Sequence, residues 1–271
     1  MRLYFILLFL LALAACAENS TNSGTTTSID SITVDITNYL TPHGDTIISL
    51  PDTVYTDVNV LYISEAGAVD FQNYSAQNTF EDSLLKQIGN YHEIIVAWEQ
   101  HLQNTYKDMF SVTDTTLVLY LENNMKLTLP RIKLESIDIP SHHFYHYFPG
   151  LDYVLLHTQY YEGNTYKLVN RKTGYVKELN GKPYFSPDKK HMLTANIDLE
   201  AHFDYNGLEY YAVEQDTLRK IFSYEPEGWW GPEDIQWTSD STAYIRAGYV
   251  IYAPDSAYYQ SKNLLLRIGY N

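Results

Sequence analysis

Two stretches, "PYFSPDKKHML" at residues 183–193 and "IQWTSDSTAYI" at residues 235–245, decide how this chain is read. Laying Phe185-Ser186-Pro187-Asp188 on Trp237-Thr238-Ser239-Asp240 aligns positions 188 and 240, a period of 52 residues. Each copy continues as an apolar strand, a loop and a further apolar strand. The turn has a mechanical rationale: proline fixes one backbone dihedral, and aspartate accepts hydrogen bonds from the amides that follow. The aromatic is then free to pack between neighbouring sheets. Proline is missing from the second copy, where Thr238 and Ser239 stand instead, and "YFPGLDYVLL", residues 147–156, reads as a worn third copy.

These turns resemble the PD40 or TolB-type β-propeller repeat, in which an aromatic-Ser-Pro-Asp turn joins the first two strands of a four-stranded blade. The resemblance covers residues 151–271 and implies a mainly β, antiparallel, propeller-like architecture, whether closed or incomplete and open. Closing a ring takes at least four blades, which would recruit strands from before residue 150. An open stack of hairpins and a sandwich are the alternatives.

Outward from the repeats the pattern stays mostly β. "SITVDI", "DTIISL" and "VNVLYIS", within residues 30–65, are short β-branched runs separated by Pro, Gly and Asp, and predict strands. "TLVLYLENNMKLTLP" predicts a hairpin turning at Asn123-Asn124, and Thr173-Gly174 predicts a tighter turn. Between these regions the period changes. Leu84, Ile88, Tyr91, Ile95, Trp98, Leu102 and Tyr106 recur every three or four positions, which predicts one amphipathic helix over residues 79–109 packed on its own domain, with a bend at Gly89.

The amino terminus carries a different signal. Met1 and Arg2 precede 13 uncharged residues, Leu3 to Ala15, and then Cys16, the only cysteine of 271 residues. A helical span needs about 20 apolar residues, so this run predicts a cleaved secretory signal over residues 1–15. Leu13-Ala14-Ala15-Cys16 resembles the lipobox of bacterial lipoproteins. The resemblance implies cleavage before Cys16, a diacylglyceryl thioether on its sulfur and acylation of the new amino terminus. Two or more acyl chains, at about 0.8 kcal/mol per buried methylene, give lasting anchorage. Residues 16–29 then form a polar tether with a reach of about 20 Å, ahead of a single domain over residues 30–271. Ala17 lacks the aspartate that implies inner-membrane retention, which favours the outer membrane. A lone cysteine excludes an intrachain disulfide and a thiolate metal cluster.

Charge narrows the partners. The chain has 18 basic and 33 acidic residues, and removing Arg2 with the leader leaves a net charge of −16. Phosphate backbones and anionic headgroups are repelled by such a surface, so nucleic acid is excluded as a partner.

Catalytic motifs are missing from the sequence. His92-Glu93 opens a zinc-protease helix motif, but Val96 stands where the second histidine belongs. His142, His143 and His146 in "SHHFYHYF" predict an incidental aromatic connector; if it is a strand, 142 and 146 align. "DYNGLE", residues 204–209, opens like a calcium loop without the later ligands, and Asn206-Gly207 predicts a hairpin turn. No nucleophile elbow and no phosphate loop occur, and neither a metal nor a cofactor is implied.

Aromatic residues are in excess, with 26 Tyr, 10 Phe and 4 Trp. Strands absorb most of them. The "EPEGWWGPED" segment is the exception, because Trp229 and Trp230 are adjacent and strand neighbours point to opposite faces. One indole is expected in the core and one on display, where it would stack on a sugar beside Glu227, Glu233 and Asp234. The favoured role is therefore non-catalytic, a lipid-anchored binding or assembly module using its loops on a protein or glycan partner. Glycan binding at Trp229 and Trp230 is the second reading, and a hydrolase with an unidentified carboxylate pair is the third.

Overall fold

A computed structural model describes residues 37–40, 46–50, 52–55, 59–67, 83, 91–122, 124–131, 139–226, 230–253 and 256–270. "SITVDI", Cys16, the tether, Glu227, Trp229 and Gly89 lie outside them. Thr37–Leu40 (β1) and Thr46–Leu50 (β2) form a two-stranded ribbon. The other described strands form four larger antiparallel sheets, accompanied by helix and by connecting loops. The chain is mainly β.

The sheets follow one another along the chain. Phe110–Val112 (β5), Thr116–Tyr120 (β6) and Lys126–Pro130 (β7) make a three-stranded sheet. Its β6–β7 turn is the expected hairpin, with Asn124 in the left-handed region at φ 62°. Ser141–Phe148 (β8), Tyr153–Gln159 (β9), Asn164–Asn170 (β10) and Val176–Leu179 (β11) form a four-stranded meander. Lys182–Phe185 (β12), His191–Asn196 (β13), Gly207–Glu214 (β14) and Thr217–Tyr224 (β15) repeat it.

The last sheet joins both ends of the domain. Trp230–Ser239 (β16), Thr242–Ala253 (β17) and Ser256–Tyr270 (β18) come from the end of the chain, while Asn59–Glu65 (β4) and Asp52–Tyr55 (β3) complete it. The register runs from Leu264↔Glu65 to Tyr270↔Asn59. The four sheets do not close into a ring.

The period seen in the sequence is a physical contact. Asp188 N–H donates to the Asp240 carboxylate at 2.9 Å, across 52 residues, and the Trp237 indole N–H donates to the Tyr184 carbonyl at 2.9 Å. Within the first copy, the Ser186 hydroxyl donates to Asp188 at 2.6 Å, and the Asp188 carboxylate also takes the Lys190 N–H at 3.0 Å. Phe185 meets Phe148 edge-on with ring centroids 4.9 Å apart. That contact joins the β8–β11 sheet to the β12–β15 sheet, as the turn's aromatic was expected to do. In the worn third copy Asp152 takes the left-handed conformation at φ 53° and accepts hydrogen bonds from Tyr147 and Arg171.

The described helix is Tyr91–Thr105 (α1), and residue 83 is also helical. The 79–109 expectation overshoots at its carboxyl end: the last helical bond is Tyr106 N–H to Leu102 O, and residues 107–109 turn into β5. Asn104 and Thr105 compete with the helix through their own side chains, which favours an end there. Ile95, Trp98 and Leu102 bury α1 in a core shared with β6, β8, β9 and β10. A second core, around Leu193, Tyr210, Trp230, Ile245 and Leu266, lies between the β12–β15 and β16–β4 sheets.

Candidate functional site

An antiparallel meander puts its odd turns at one end and its even turns at the other. One end of these sheets carries the repeat turns at 148–152, 185–191 and 237–242. The opposite end carries the β9–β10 turn at residues 160–163, the β13–β14 loop at residues 197–206, and the entry to β16.

The longer loop is built on one side chain. The Asp198 carboxylate accepts the N–H groups of Ala201 (3.0 Å), His202 (3.0 Å), Phe203 (2.7 Å) and Asp204 (2.9 Å). Burial alone would raise its pKa, but these four amides outweigh it and hold the carboxyl below its ordinary range. Asp204 in turn takes the backbone and side-chain N–H groups of Asn164, at 2.9 and 3.0 Å, tying the loop to the neighbouring sheet. Gly163 sits against that carboxylate at φ 110°, where a Cβ would collide with it. On the other side the Asn206 amide donates to the Trp230 carbonyl at 2.9 Å. Asn206-Gly207 is therefore not the hairpin turn expected from the sequence. Gly207 already belongs to β14, because the Asp198 cradle closes the loop earlier.

Three exposed aromatic rings stand at this end: Tyr161 at 59 %, Phe203 at 59 % and Tyr259 at 54 %. Tyr161 and Phe203 flank the junction between Asp204 and Asn164. Tyr259 lies over Gly248, where a Cβ would strike its phenol and Ile197. Its hydroxyl is pushed up to about 12, by burial first and then by the Glu233 carboxylate that accepts its hydrogen bond.

The residues picked from the sequence divide. Trp230 is 2 % exposed and fills the second core, so its indole offers no face to a ligand. Asp234 lies directly across the sheet from Arg246 and binds the Tyr184 hydroxyl, while Glu233, at a bulge, meets Tyr259. Burial raises the Glu233 carboxyl above its usual range, with Arg246 opposing and Asp234 reinforcing the shift. Glu227 and Trp229 lie outside the described residues. Tyr161, Phe203 and Tyr259 were not picked out. In sequence they are three aromatics among forty, and only the topology brings their loops to one end.

The histidine stretch proves to be strand β8 and not a connector. A bulge between Phe144 and His146 flips the parity of the strand, so His142 and His146 pair with β9 residues of opposite faces and do not align. His142 donates from Nδ1 to the Pro130 carbonyl (2.9 Å) and faces the Lys167 ammonium (2.8 Å) with Nε2. Burial above all, helped by Lys167 and His143, lowers its pKa to about 4; burial and then Lys182 do the same for His146.

His143 belongs to a relay sealed inside the protein. Ser141 Oγ lies 3.0 Å from His143 Nε2, and His143 Nδ1 lies 3.5 Å from Glu99 on α1. Glu99 also takes Arg131 N–H groups at 2.8 and 3.0 Å and the Phe144 N–H at 2.8 Å. The order of groups is that of a base-activated serine, yet Ser141, His143 and Glu99 are at most 1 % exposed. No substrate reaches that hydroxyl in this conformation, and the cluster serves to fasten α1 to β8. Glu209 is a second buried carboxylate, matched by Asn180 (3.1 Å), Tyr211 (2.8 Å) and Lys220 (3.1 Å).

Among the described residues no cluster of three or more His, Cys, Asp or Glu side chains is placed to hold a metal ion. No described helix is long and apolar enough to cross a membrane. No family model matches the chain, and neither a curated protein nor a solved structure matches it.

Proposed function

We propose that this chain is a bacterial lipoprotein, anchored through Cys16, whose β domain is a non-catalytic binding module. The observation that carries the binding role is the set of exposed rings at the loop end, on a backbone fixed by Asp198. Exposed aromatics on rigid loops are a binding surface's usual equipment, since the ordering entropy is met in folding and not on association. Anchorage rests on the lipobox resemblance, and the outer membrane on Ala17.

The same reading treats β8–β11 and β12–β15 as two successive propeller-like blades, with β4 adding to the C-terminal strands as a closing strand would. Their succession and the Phe148–Phe185 contact between them support it. Anchorage is tested by intact mass spectrometry of the native protein and of Cys16→Ser. The expected native chain begins at Cys16 and carries diacylglyceryl and acyl mass, and the variant loses both and leaves the membrane fraction. A native chain with an unmodified Cys16 overturns the anchored reading.

A further inference from the structure

We infer that the loop end binds a neutral glycan, with the Tyr161 and Phe203 rings stacking on sugar faces and neighbouring carboxylates accepting sugar hydroxyls. This rests on the non-catalytic binding role above and names its ligand class.

Three properties of the loops select that class. First, the rings are presented and not stored: Tyr161 and Phe203 each expose 59 % of their surface, on turns whose backbone is pinned by Asp198 and by the Asp204–Asn164 bonds. A flat ring held this way offers its face to the C–H groups of a pyranose at little entropic cost.

Second, the two loops that carry the rings are rich in acceptors. Glu162 and Glu200 are exposed beside them, and neither 160–163 nor 197–206 contains Lys or Arg. Carboxylates accept hydrogen bonds from hydroxyls, which a sugar supplies in excess. The same acids repel phosphorylated or uronic polymers and anionic lipid headgroups, so the fitting glycan carries no negative charge. A membrane-dipping surface would pair its rings with Lys or Arg instead.

Third, acids accompany each ring along the chain, Glu162 directly after Tyr161 and Asp204 directly after Phe203. A protein-docking hot spot is centred on a desolvated apolar cluster with charged residues kept to its rim. Alternation of ring and carboxylate matches a ligand whose own surface alternates C–H faces with hydroxyl edges. Trp230 has no part in this, being buried. Tyr259 and Glu233 extend the same end along the β16–β18 sheet, with the phenol already donating to the carboxylate.

The test is calorimetric titration of the full lipidated chain, in a detergent without a sugar headgroup, with chitohexaose, cellohexaose and laminarihexaose. At least one of the three is expected to bind. Phe203→Ala and Tyr161→Ala are each expected to weaken that affinity about tenfold or more, as loss of an anchor ring does, while Tyr62→Ala, an exposed ring on β4, leaves it unchanged. Both loop rings are exposed, so the variants fold, which a matching thermal midpoint checks. Failure of all three oligosaccharides to bind overturns the inference, as does binding that survives both substitutions. Ring-dependent binding to anionic vesicles without oligosaccharide binding reassigns the surface to the membrane and overturns it as well. None of these outcomes touches the acylation of Cys16, which the mass measurement decides separately.

Discussion

The two ends of the sheet stack are built by opposite means. At the repeat end, turns of a few residues copy one another and bond across copies, Asp188 to Asp240 and Tyr184 to Trp237, with Phe185 wedged against Phe148. At the loop end, a ten-residue excursion is folded around the Asp198 carboxylate, tied on either side by Asp204 and Asn206, and leaves the Phe203 ring exposed. With the turns closed by these bonds at one end and by Asp198 at the other, the exposed Tyr161 and Phe203 rings are left without a packing role. This division is what makes the loop end the natural place for recognition.

The sharpest contrast lies within the loop end itself, between Trp230 in the core and Phe203 outside it. Trp230→Ala removes a buried indole from the second core and should cost about 3–5 kcal/mol in urea unfolding. Phe203→Ala should fall within about 0.5 kcal/mol of the parent. Equal losses at the two positions would break the division.

Acid probes the interior that joins the ends. His142 and His146 are held neutral, with folded pKa values near 4 against an ordinary value of 6.5. A histidine lowered in the fold binds more protons when unfolded, so its contribution is complete above about pH 6.5 and is lost as pH falls toward 4. By linkage each full shift is worth about 2.5 kcal/mol at pH 4.5, so the two together should cost several kcal/mol, with His146 contributing less because it is half-buried. Denaturant midpoints at pH 7 and 4.5 measure this, and His146→Leu should flatten the dependence.

Asp198→Ala strips four amides of their acceptor at a partly exposed site. It should cost about 1–2 kcal/mol and speed amide exchange across residues 199–205 while leaving residues 186–191 protected. The carboxyl is held below its usual range, so this contribution is present at neutral pH and fades as acid protonates it. A smaller effect than that of Asp198 is expected at the repeat end. Asp240→Ala removes one exposed bond between copies and should cost about 0.5–1 kcal/mol without disturbing the loops.

Much of this architecture was legible in the sequence because it is local. Ser186-Pro187-Asp188 dictates its own turn, Asn124 and Gly174 take the left-handed backbone their positions require, and the Ile95–Trp98–Leu102 spacing writes a helix. What escaped depends on distance along the chain. The bulge in β8 has no sequence mark, because it is set by pairing with β9, and it is what separates His142 from His146. Glu99, Arg131 and His143 are scattered over 45 positions and meet only after α1 docks. The loop rings were hidden for the same reason, while adjacent Trp229 and Trp230 drew notice only because they are neighbours in sequence.

The division of labour between the ends is tested most directly by amide hydrogen exchange on the full chain with and without chitohexaose, cellohexaose or laminarihexaose. Slowed exchange confined to residues 160–163 and 198–206, with residues 186–191 and 237–242 unchanged, is the predicted result. Slowing at the repeat turns, or none at either end, would contradict it.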